Sequence, residues 1–155
     1  MPNGATPISR KVVRDAIGAG LVANLPTAQA VYPYQRSKIG GVATAVRFFS
    51  ASSLRPMMAE QGIRSELGFI VQLWVIYNSA TQETWGESEA EAKLDALEHE
   101  FATWVSANNL EPNPLWLAAG ITAIRYSGFS FVDVHKIANE TYLVEDIPII
   151  AEVYG

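Results

Sequence analysis

Apolar residues recur at helical spacing from Val12 to Leu25, with Val13, Ala16, Ile17, Gly20 and Leu21 between them on one face. Ser9 stands where an N-cap is needed and Pro26 stops the run, so the pattern predicts an amphipathic first helix. Gly18 and Gly20 weaken it, each by about 1 kcal/mol relative to alanine in a helix interior. Close packing against another backbone is the expected compensation. A β-hairpin is expected next: residues 28–34 are short and β-prone, and residues 35–41 carry turn chemistry. Val42, Thr44, Val46 and Phe48 then alternate with Ala43, Ala45, Arg47 and Phe49. Residues 50–66 show no convincing period and read as a long interaction loop, since loops of that length inside a domain are usually functional or disordered. Leu54, Met57, Met58 and Ile63 would be exposed there beside Arg55 and Arg64, an adaptable contact surface. A short amphipathic helix over residues 56–61, folded back on the core, fits the same stretch equally well.

Residues 67–78 form the strongest strand pattern in the chain. Apolar side chains fill both alternating sets, as in a central strand covered on both faces. The natural cover is a helix over residues 88–108. Ser88 and Glu91 make a capping-box signature, Ala90, Leu94, Leu97, Phe101, Trp104 and Val105 form the buried stripe, and most of its acidic residues fall outside that stripe. Residues 111–114 read as an extended connector in which a helix cannot continue. Strands are expected over residues 121–126, 130–135 and 142–154. Pro148 would confine the last of them to a sheet edge or to a bulge between two short pieces. These elements describe a single α+β domain spanning residues 1–155, a mostly antiparallel sheet with two main helices packed on it.

Charge changes the picture from fold to partners. Residues 1–65 carry eight Lys/Arg against Asp15 and Glu60, a balance of +6, while residues 66–155 carry three against fourteen acids, a balance of −11. Oppositely charged surfaces steer association and fix register, so a subunit of this kind suits head-to-tail assembly with copies of itself. The basic residues Arg10, Lys11 and Arg14 sit in the first turns of the first helix, where the dipole disfavours them; they read as a solvated face or as partners for acidic groups. With 49% apolar residues the 155-residue chain has ample material for one packed core. It has no cysteine, which removes disulfides and thiolate chemistry and fits a reducing cytoplasm. The first residues lack the apolar run of a signal peptide, and no stretch approaches the ~20 apolar residues of a membrane span. The expectation is a soluble, unsecreted protein.

Catalytic patterns are sparse. His99 lies beside the acidic face of a predicted helix and His135 in a predicted strand, neither with ligand spacing around it. Gly18-Ala19-Gly20 falls inside a helix pattern rather than after a strand, which is the wrong context for dinucleotide binding. Glu145 and Asp146 are adjacent in a strand and point to opposite faces. No catalytic residue, metal ligand or cofactor is expected. The alternative from another class is a small oligomeric enzyme or ligand-binding domain, with Trp74, Trp85 or Trp116 lining a pocket and His135 as base.

The order of elements carries a resemblance. Amphipathic helix, hairpin, basic loop, apolar strand, acidic-faced helix and a strand-rich end closing on Ile147-Pro148-Ile149 together resemble the tail terminator proteins of long-tailed, lambda-type bacteriophages. What this implies is a small α+β subunit that forms a hexameric ring on the last tail-tube ring. It would halt tube polymerisation and offer the surface to which the head or neck joins. The implied location is the head-proximal end of the tail in the virion, after assembly in the host cytoplasm. The implied partners are the chain's own copies, the tail tube protein and a neck or head-completion protein, with DNA only as passing cargo and no membrane. A tail-tube or neck subunit is the nearest alternative. On this expectation Arg47, Arg55 and Arg64 of one copy approach Glu91, Asp95, Glu98 or Glu145 of the next, while Met57 and Met58 meet the tube.

Overall fold

A computed structural model of the chain describes residues 8–34, 43–54, 64–79, 87–137 and 140–154. The first helix, α1 (Arg10–Asn24), starts where the pattern puts it, and the Ser9 side chain accepts a hydrogen bond from the Lys11 amide at 3.2 Å. Its glycines serve close approach, but to side chains rather than to a backbone. A Cβ on Gly20 would overlap the Trp104 ring, and one on Gly18 would lie 2.8 Å from the Pro33 Cβ. The packing that compensates their low propensity is therefore with a ring and a proline.

The hairpin expected next does not form. Strand β1 (Ala30–Tyr32) runs parallel to β2 (Thr44–Leu54), with Ala30 opposite Ala45 and Tyr32 opposite Arg47. The reason lies at the entry to β1. The Thr44 hydroxyl donates to the Thr27 carbonyl at 2.6 Å, and the Gln29 amide donates to Thr44. This fixes the start of β1 beside the start of β2, so both strands leave in one direction. The supposed turn, residues 35–41, lies outside the described residues. The antiparallel partner of β2 is instead β3 (Arg64–Ser79).

The long-loop reading also needs correction at both of its ends. Residues 50–54 continue β2 past a register shift between Ser50 and Ser52, and residues 64–66 open β3. Ser50 and Ser53 accept from the guanidinium groups of Arg14 and Arg10 at 3.2 and 3.0 Å. A polar stretch is thus held as strand by its ladder and by the helix above it, which no local periodicity reports. Residues 55–63, including the alternative short helix, lie outside the described residues.

β3 is central, between β2 and β6 (Glu140–Tyr154). β6 is central as well, contrary to the edge position inferred from Pro148. Its far side is shared by two strands, β5 (Phe131–Ile137) along residues 140–146 and β4 (Ile121–Tyr126) along residues 149–153. Pro148 stands at the handover between them. Its carbonyl accepts from the Ser127 amide at 2.8 Å, and a strand residue directs its N–H and C=O to the same edge. The donor that proline lacks therefore faces that gap and costs the ladder to β3 nothing.

The acidic helix α2 (Glu87–Leu110) packs across β3, β6 and β4, and α1 packs on β1, β2 and α2. It begins one residue before Ser88, so the expected cap residue lies in its first turn. A third helix, α3 (Pro114–Ala119), occupies part of the supposed extended connector. Asn113 caps it through the Trp116 amide at 3.0 Å, proline holds its first position and Gly120 closes it at φ 74°. All three helices lie on one side of the sheet. Val46, Phe48, Leu67, Phe69, Val71, Leu73, Val75, Ile147 and Ile149 meet Ile17, Leu21, Leu94, Leu97, Phe101 and Trp116 in the main core. The result is a single α+β domain whose described residues form one mostly antiparallel six-stranded sheet with three helices.

Candidate assembly surfaces

The sheet side without helices carries a second, smaller cluster of Ala45, Trp74, Ile76, Tyr142 and Val144. Polar groups close over it. Gln72 accepts from the Trp74 indole at 2.8 Å and from Arg47 Nε at 2.8 Å, and donates to Asp146 at 2.6 Å. The Arg47 guanidinium lies 4.8 Å over the Trp74 ring, and the His135 ring packs against the same ring at 5.4 Å, tilted by 51°. Burial lowers the Arg47 pKa while Asp146 opposes the shift. Arg47 is thus bound into its own chain rather than held out to a neighbour.

Arg64 is engaged in the same way at the other end of that face. It pairs with Glu152 at 3.4 Å, and Glu152 and Glu66 both pair with Arg125, the latter at 2.9 Å. Arg47 and Arg64 therefore share the helix-free side, whereas Glu91, Asp95 and Glu98 ride on α2 on the opposite side. The basic and acidic halves do separate across the sheet for these residues. Glu145 belongs to neither surface: it is 6% exposed, on the helix side of β6, and accepts from Ser130 at 2.6 Å. Burial raises its pKa, and the charges of Glu98 and Asp95 add to that rise. The structure so brings Asp95, Glu98 and Glu145 together. Arg55, Met57 and Met58 lie outside the described residues.

Two unlike flanks remain at the ends of the strand order. At one end β5 pairs only with β6 among the described residues, and no helix packs on it to a comparable extent. Phe129, Phe131, Val132 and Val134 are exposed there, Phe129 by 83% and Phe131 by 69%. At the other end α1 covers β1 and β2 and turns Lys11, Val12, Asp15, Ala19, Val22 and Ala23 outward. Lys11 and Asp15 pair at 2.6 Å on that face. A further exposed apolar group, Leu110, Leu115 and Leu117, marks the corner between α2 and α3. β5 is legible in the sequence as a strand but not as a surface, because its place at the end of the strand order depends on pairing with β6.

Trp74 and Trp116, two of the three tryptophans named for an enzyme pocket, lie on opposite sides of the sheet. Trp74 belongs to the helix-free side, Trp116 is fully buried edge-on to Trp104 on the helix side, and Trp85 lies outside the described residues. Among the described residues no group of three His, Asp or Glu side chains is placed to hold a metal ion. No described helix is long and apolar enough to cross a membrane. Compared with family models and with curated proteins, the sequence matches none of them.

Proposed function

We propose that this chain is a structural ring subunit of the tail-terminator kind, seated at the head-proximal end of a phage tail tube, where it ends tube growth and presents the head-joining surface. The observation that carries the reading is the pair of unlike lateral flanks. A subunit with one apolar strand flank and one mixed helical flank, at opposite ends of a single sheet, associates head-to-tail rather than face to face. Rotation of such contacts closes a ring. The acidic α2 and the polar helix-free face supply axial surfaces of different chemistry, as a ring between tube and neck requires. Its partners in this reading are its own copies, the tube protein and a neck protein.

Particles made without the chain test this. Loss of a terminator leaves tube growth unchecked, so tails longer than normal and not joined to heads are the expected result. Tails of normal length joined to heads would overturn the reading. A tube subunit is separated by the same experiment, because its loss removes tails altogether.

A further inference from the structure

Among the described residues the helix layer leaves part of the sheet uncovered, and the gap has a definite place. Partners directly opposite in a sheet share a face. Val132 stands opposite Glu145 and Val134 opposite Leu143, and these in turn oppose Leu73 and Val75 of the main core. Val132 and Val134 therefore lie on the helix side, yet they are 54% and 46% exposed. α2 ends its cover at β6 and β4, leaving a strip of apolar strand where the next helix of a layer would lie.

The chain owns a helix face that fits such a strip. Val12, Asp15, Ala19, Val22 and Ala23 recur three or four residues apart and form one outward stripe of α1. Val22 is 64% exposed. Small side chains dominate the stripe, which allows a strand to approach closely. Because α1 sits over β1 and β2 and the strip lies beyond β6, the two surfaces are at opposite ends of one subunit and meet only between copies.

Charge favours the same match. Asp95 and Glu98 act on Glu145, which is directly opposite Val132, so α2 borders the strip with acids. α1 carries Arg10, Lys11 and Arg14 against the single acid Asp15 and so stays net positive, although Lys11 pairs with Asp15 on the exposed face and Arg10 and Arg14 also donate to Ser53 and Ser50. We propose that α1 of a second copy lies on the uncovered helix side of β5. Its Val12–Ala19–Val22 stripe packs on Val132 and Val134, and Lys11 faces the acidic border of α2. The helix layer then runs α1, α2, α1, α2 from copy to copy. This contact is a specific form of the association proposed above and rests on it.

The absence of cysteine makes the contact open to crosslinking in the full chain. Val22→Cys and Val134→Cys are both surface changes, and unchanged thermal unfolding of each checks that the fold is kept. An oxidised equal mixture of the two, one isotopically labelled, is expected to give disulfide-linked mixed dimers, with each variant alone staying monomeric on denaturing gels. The double variant is expected to give a ladder of multiples. Absence of mixed dimers, or efficient self-linking of Val134→Cys alone, would overturn the contact. The tail-length experiment reads the function separately: overlong tails without the crosslink sink only this contact, whereas normal joined tails sink the functional reading.

Discussion

β3 and β5 carry the same kind of pattern and meet opposite fates. Both place apolar residues on the helix side of the sheet, but Leu67 to Ile76 of β3 are almost wholly buried, while Val132 and Val134 of β5 are open, as is Phe131 on the other face. The difference is position. β3 has strands on both edges, α2 on one side and the Arg47–Gln72–Trp74 network on the other; among the described residues β5 has one neighbouring strand and no comparable helix. An apolar pattern states a demand for cover, and among the described residues β5 is left without it; on the proposed contact a second copy supplies it.

The largest effect should separate the two strands by the same substitution. Phe69→Ala in β3 removes a fully enclosed ring stacked 4.9 Å from Phe48, and is expected to cost about 3–5 kcal/mol in urea unfolding. Phe131→Ala in β5 should stay within about 0.5 kcal/mol for the monomer. Equal costs would break the comparison. Next is the joint between α1 and α2: Gly20→Ala would drive a methyl into Trp104 and should cost about 1–3 kcal/mol, with Ala19→Gly as a milder surface control.

A smaller effect concerns association alone. Val134→Asp leaves the monomer's unfolding transition in place but weakens self-association by about tenfold, near 1.4 kcal/mol, in sedimentation velocity. Unchanged sedimentation would remove β5 from the interface. The smallest is a pH effect beside the same strand. The raised pKa of Glu145 means that its charged form is penalised in the folded chain, so the folded state holds its proton to higher pH than the unfolded one. Stability from this group is present below the ordinary glutamate pKa and is lost as pH rises through the raised folded value. Glu145→Gln, which can still accept from Ser130, should therefore gain on wild type as pH rises from 4 to 7. A gain that shrinks with rising pH would contradict the burial account.

What the sequence made legible follows from how local each cause is. α1, β3, the α2 stripe and β4 were readable because capping, period and burial all act within one element. The parallel pairing of β1 with β2 was not, since it depends on Thr44 reaching residues 27 and 29. Ser50 and Ser53 looked like loop because Arg14 and Arg10, some forty residues earlier, supply their partners. α3 was legible in Asn113-Pro114 and Gly120 and was missed through reading the prolines only as breakers. For the candidate surfaces, charge sorting pointed to arginines that are engaged within their own chain. Arg47 and Arg64 serve Gln72 and Glu152, and the open flank is apolar.

The central claim, a ring that closes the tube on its head side, is met most directly by electron microscopy of purified tails carrying a labelled copy of this chain. The account predicts one band of label per tail, at the head-proximal end. Label along the whole tube, at the distal tip or nowhere on the tail would contradict it.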